Sequence, residues 1–237
     1  AGPGKTNVMA ARAARELDDV RAVRCASAGR DTDPPSGLST PYAIQTLMDE
    51  LTVRPVVQRG GAPEELEVMT PGGQIPFPDP IGTQDSIYTL HSEVRTLPDS
   101  LGADDCDFRL SLAPAVLEAL AELRELPASE LAALRAEPPS PRTYSGQHVE
   151  VSGLRGGTPV KVTVTALTVP HEAWGLGGGI VSTASCAAAA ARLYARGKLP
   201  LVGALPPEKC LDPDALFAEL EPRGCTFDIT TQESEAA

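Results

Sequence analysis

No Cys-x-x-Cys pair occurs in these 237 residues, and the five cysteines (Cys25, Cys106, Cys186, Cys210 and Cys225) are odd in number, several of them in apolar stretches. Without such pairing the expectation is buried free thiols in a reducing compartment, hence a cytoplasmic protein. No histidine beside any of them marks a nucleophile. No apolar run reaches the about 18 residues needed to cross a bilayer, and no basic-then-apolar leader opens the chain, so no membrane partner is expected. Basic residues are scarce too. Lys and Arg number 20 against 32 acids, a formal charge of −12, whereas nucleic-acid phosphates require a basic face. No metal is assigned.

What is present is organised around residues 147–197. Gly156-Gly157 separates two alternating runs, as a two-residue hairpin turn requires. In the second run Val160, Val162, Val164 and Ala166 share one face and Lys161, Thr163 and Thr165 the other, the pattern of a half-buried strand. His148 alternates outward and is expected to be solvated. A glycine-rich loop, residues 170–179, leads into an alanine-rich helix at 180–196 that is apolar almost all round and is therefore expected to be covered on most sides. Gly197 stops it.

Elsewhere the spacing predicts a helix within residues 2–17 capped by Thr6 or Asn7, and a strand at 20–28. A helix capped by Thr40 follows, with Ile44, Leu47, Met48 and Leu51 on one face. Residues 53–101 predict short strands and loops, and 106–112 a strand. Helices are expected at 114–123 and 129–136, and at 213–223 behind an Asp212 cap, with a last strand from Cys225. Without regular βαβ alternation the class is α+β, with a mixed, mainly antiparallel sheet.

Three motifs suggest chemistry. Gly4-Lys5-Thr6 ends like a phosphate-binding loop, but the preceding part is missing and no apolar strand ending in a carboxylate follows, which leaves a nucleotide-hydrolase fragment as a minor alternative. The turn Gly175-Leu176-Gly177-Gly178-Gly179 fails the dinucleotide pattern because Ile180 stands where the third glycine belongs. The helix start beyond it, with Ser182 and Thr183, could hold a carboxylate. In IYTLHSEVRTLP, read as a strand, His91 and Glu93 share a face and could handle a proton or an amine, with Tyr88 and Thr96 nearby. His171, Glu172 and Trp174 form a similar set in the glycine-rich loop.

Gly2-Pro3-Gly4-Lys5-Thr6-Asn7 before an Ala-rich helix, Asp79-Pro80-Ile81-Gly82, the run His91 to Pro98, and the closing Pro207-Glu208, Asp212-Pro213, Phe217, Leu220 and Arg223-Gly224 together resemble the C-terminal domain of the saccharopine dehydrogenase family. The resemblance implies that residues 1–237 form the substrate-binding and dimerisation half of a two-domain NAD(P)-dependent dehydrogenase, with helices covering one face of the sheet. The Rossmann domain is not in this chain, which is expected to be a piece of a longer polypeptide. The reaction implied is hydride transfer at the C–N bond of an amino-acid-derived amine or imine, by a homodimer. NAD or NADP would serve the full-length protein and not bind this fragment alone. In that frame His91, Glu93 and His171 are candidate catalytic residues. Tyr88, Thr96, Trp174 and Thr183 would line the substrate, and Gly4 and Asn7 would approach the nicotinamide. The alternative is a non-enzymatic dimerisation or ligand-binding module of the same fold.

Overall fold

A computed structural model describes residues 2–36, 39–40, 42–114, 116–118, 130, 137–199 and 203–233. Nine strands form one open sheet. In chain order they are β1 (Asp19–Asp31), β2 (Val56–Arg59), β3 (Ala62–Glu65), β4 (Pro71–Pro76), β5 (Thr83–Tyr88), β6 (Asp105–Ser111), β7 (Thr143–Arg155), β8 (Thr158–Thr168) and β9 (Cys225–Glu233). The spatial order is β3-β2-β6-β1-β7-β8-β9, and the β4–β5 hairpin joins at β6. β1 and β6 run parallel; the other pairs are antiparallel.

The helices are α1 (Lys5–Ala14), α2 (Ile44–Thr52), α3 (Glu93–Leu101), α4 (Gly178–Ala195), the single turn α5 (Pro207–Cys210) and α6 (Pro213–Leu220). Alternation along the strands decides which face they cover. Cys25 lies opposite Val149, Val149 opposite Val164 and Val164 opposite Ile229, so one cross-strand row is wholly apolar. That row and its neighbours pack against Val8 and Met9 of α1, Val94 and Leu97 of α3, Ala189 of α4, and Leu216, Phe217 and Leu220 of α6. Burying each such side chain stabilises the fold by roughly 1.5–3 kcal/mol before the ordering entropy is subtracted. A smaller apolar cluster (Ala26, Ala28, Ile75, Phe77, Ile81) covers one end of the opposite face.

The Gly156-Gly157 turn has φ of 58° and 82°, as two left-handed residues require, and β7–β8 is the expected hairpin. Asp212 accepts a hydrogen bond from the Ala215 N–H at 2.9 Å and so caps α6 as predicted. Other expectations are corrected. The run from His91 is not a strand: α3 begins at Glu93, because Val94 and Leu97 bury as a helical pair against the sheet. Within 53–101, where short strands are expected, residues 66–69 form none. α2 starts at Ile44 behind Ala43, and the Thr40 hydroxyl donates to the Tyr42 carbonyl instead of capping it.

His148 is not solvated, since the segment from Ile75 to Ile81 folds over it. Its Nδ1 lies 3.0 Å from the Pro76 carbonyl and Phe77 packs edge-on to its ring. α4 is not covered on most sides, as Ile180 and Tyr194 are 45% and 73% exposed and Ala187, Ala188 and Ala191 face outward. Residues 114 and 116–118 are helical; the rest of that predicted helix, and most of the one at 129–136, lie outside the described residues.

Candidate functional site

Polar groups gather where α1 begins. The backbone N–H of Gly4, at φ 113°, donates to Asn7 Oδ1 at 2.8 Å and closes the first turn. Asn7, not Thr6, therefore satisfies the helix start. Thr6 is turned toward α3, where its hydroxyl donates to Glu93 Oε1 at 2.5 Å. The other carboxylate oxygen, Oε2, accepts from His91 Nδ1 at 2.5 Å and from the Ser92 hydroxyl at 3.3 Å. Glu93 is fully buried, yet both its oxygens have donors, which is what a buried carboxylate needs. Burial alone would push its carboxyl up; the hydrogen bond and charge of His91, with the Thr6 hydroxyl, outweigh it and hold the group below the ordinary carboxylate range. The His91 ring stacks on Phe108 of β6 at 3.7 Å. With Nδ1 engaged, Nε2 is the nitrogen left to exchange a proton.

Asn7 extends the network: its Nδ2 donates to Thr96 Oγ1 at 3.3 Å and to Glu208 Oε2 at 3.0 Å, and Ser100 donates to Glu208 Oε1 at 2.8 Å. Gly4, Asn7, His91, Glu93 and Thr96 are thus brought together. Thr6, Ser100 and Glu208 complete the cluster as partners that short-range spacing does not reveal, Glu208 being 201 positions from Asn7.

The other predicted residues stand apart. Tyr88 closes β5 and meets β6 at Arg109, whereas His91 lies on the adjoining Phe108. Successive residues of a strand face opposite sides, so Arg109 and Phe108 point away from each other. His171 and Trp174 stack on one another at 3.8 Å in the loop before α4, with Trp174 half exposed. Thr183 is exposed on α4 and its hydroxyl donates to the Gly179 carbonyl at 3.0 Å.

Lys5, the residue that suggested a phosphate loop, is fully buried. Its Nζ donates to Ser182 Oγ at 2.7 Å and Thr168 Oγ1 at 3.0 Å, with Cys225 Sγ at 3.6 Å, so the ammonium is turned into the protein and away from any phosphate. The thiols remain free, and burial pushes those of Cys25, Cys106 and Cys186 up, against a role as nucleophiles. Among the described residues no group of three or more His, Cys, Asp or Glu is placed to hold a metal ion, and no helix is long and apolar enough to cross a membrane.

No protein-family profile and no curated protein matches the chain. Among solved structures it is similar to apo histidine-tagged saccharopine dehydrogenase (L-Glu forming) from Saccharomyces cerevisiae, with a TM-score of 0.66 at 12% identity, over 97% of this chain and 72% of that one. At that identity the likeness establishes the fold alone, an α+β architecture built on a mainly antiparallel open sheet.

Proposed function

We propose that this chain is the substrate-binding part of an NAD(P)-dependent oxidoreductase acting on the C–N bond of an amino-acid-derived amine or imine, working as a homodimer. The observation that carries the reading is the His91–Glu93 pair. A carboxylate fully buried and fixed by Thr6 holds the imidazole in one tautomer and one orientation. The remaining nitrogen is free to take a proton from, or give one to, a substrate amine, while the charge that develops on the ring is stabilised by Glu93.

The described residues do not fit a dinucleotide. Asn7 spends its side chain on Gly4, Thr96 and Glu208, and the glycine-rich loop lacks the third glycine of the fingerprint. A nicotinamide cofactor would therefore be held by a separate domain. His171, Trp174 and Thr183 would form a more distant wall. The alternative, a non-enzymatic association module, draws its support from the outward apolar residues Trp174, Ile180 and Tyr194.

The test is turnover of the full-length protein with NADH or NADPH. Replacing His91 with Gln is expected to lower kcat by about 10²-fold or more. Unchanged turnover and an unchanged pH profile would exclude His91 from the chemistry.

A further inference from the structure

The outer edge of β6 is divided between two strands. β2 reaches it at Cys106 through Gln58, and β5 takes over at Arg109 through Tyr88. In the notch between them Asp107, 1% exposed, accepts from Arg59 Nη2 at 3.1 Å on one oxygen and from Arg109 Nε at 2.9 Å on the other. Both guanidinium carbons lie over the Tyr88 ring, 6.0 Å and 5.8 Å from its centroid. β4 crosses so closely that a Cβ on Gly72 would stand 2.7 Å from Arg109 Cδ, and the Gly72 carbonyl accepts from Arg109 Nη1 at 3.0 Å.

The charges here do not balance. Two guanidiniums meet a single carboxylate, and among the described residues neither has a second acidic partner. Each guanidinium carries five N–H donors. Arg59 spends one on Asp107 and one on the Gln58 carbonyl, and Arg109 one on Asp107 and one on Gly72, leaving three on each without a protein acceptor among the described residues. Two residues further along the same face of β6 the Ser111 hydroxyl is buried and without a hydrogen-bond partner among them. In a chain of net charge −12 a fixed excess of positive charge, held rigid by a buried carboxylate, is a built feature.

We propose that this notch is an oxyanion-binding site, in which a carboxylate or phosphate group bridges the spare donors of Arg59 and Arg109 beside the Tyr88 ring. Planar guanidiniums pre-set by Asp107 suit such an anion because bidentate N–H···O contacts need fixed donors. The site lies on the opposite side of β6 from Phe108 and His91 and does not depend on the redox reading.

Isothermal titration of the full chain with inorganic phosphate and with glutarate, in low-chloride buffer, tests it. At least one anion is expected to bind saturably at a Kd on the order of millimolar or below, weakening as ionic strength rises. The tighter of the two identifies the group as phosphate or carboxylate. Arg59→Gln and Arg109→Lys should each weaken binding about tenfold or more, while Arg155→Gln, at the far hairpin, leaves it unchanged. Arg59 is 36% exposed, so its variant keeps the test valid even if Arg109→Lys disturbs the fold. Absence of saturable binding of either anion to the wild type, or wild-type affinity in a folded Arg59→Gln protein, would overturn the proposal.

Discussion

Gly178, the first residue of α4, stands so close to Thr168 that a Cβ on it would lie 2.2 Å from the Thr168 carbonyl oxygen, and 2.8 Å from that of Thr143. The glycine-rich loop is thus a docking device for the helix. A methyl group at 178 must push α4 off the sheet. Gly178→Ala is expected to destabilise the protein by about 1–3 kcal/mol or more, measured by urea unfolding. Gly179→Ala, where the new Cβ meets nothing within 4 Å, should be neutral or stabilising by up to about 1 kcal/mol. Equal effects at the two positions would contradict the close approach.

Glu93 links stability to pH. Its folded carboxyl titrates below the ordinary 4.5, so its contribution is fully present above that value and is lost as pH falls through the lowered folded value. Glu93→Gln should remove this part of the acid dependence. It should also cost about 1–3 kcal/mol at neutral pH, because the amide offers one acceptor oxygen where His91 and Thr6 each need one. An acid-unfolding curve unchanged in slope would show that the pair is not charged in the native state.

Glu150 gives a second acid-sensitive element. His148, whose Nε2 lies 3.5 Å from Glu150 Oε1, is the largest influence on it; burial opposes, and the Lys161 charge at 3.3 Å assists, so its carboxyl is drawn down from 4.5 to about 2. The stability it provides is present above pH 4.5 and disappears as pH falls toward about 2. Glu150→Gln should flatten the stability profile in that window, and His148→Phe should do so in part. A profile identical to wild type would refute the coupling.

Lys5 tests how a buried ammonium is tolerated when it has no carboxylate partner among the described residues. Lys5→Ala leaves a cavity and strips Ser182 and Thr168 of their donor, for an expected loss of about 2–5 kcal/mol. Lys5→Met fills the same space and should recover a good part of the loss. If alanine and methionine are equally harmful in thermal unfolding, the hydrogen bonds outweigh the packing.

The hairpin at Gly156-Gly157 and strand β6 were legible in the sequence because period-two alternation survives wherever one face of a strand is buried. α3 is hidden in the sequence because Pro98 lies within it and its buried side holds Glu93 beside Val94, Leu97 and that proline. His91 and Glu93 were foreseen as neighbours on a strand; their real pairing comes from the turn that opens a helix. His148 was misjudged because its cover, Pro76 and Phe77, is 72 positions away at its hydrogen bond. The alanines of α4 imply burial by composition, but alanine favours helices through backbone propensity, and its single methyl can face water at little cost. Glu208 and Asp107 carried no local signal, since their roles depend on partners that only the tertiary fold supplies.

Beyond β6 the sheet ends in two strands, β3 and β4, and beyond β8 in β9; β3 and β9 form margins of different kinds. At one, β3 is four residues long, reads Ala-Pro-Glu-Glu and is exposed throughout; at the other, β9 presents nine residues, rich in threonine, with no described strand beyond it. A proline and adjacent carboxylates on so short a strand repel further pairing, whereas β9 is longer and carries its two acids, Asp228 and Glu233, five positions apart. Lengthening of the sheet is therefore easier at β9 than at β3. Two copies joined through β9 would pair these β9 margins with each other and end in a closed pair.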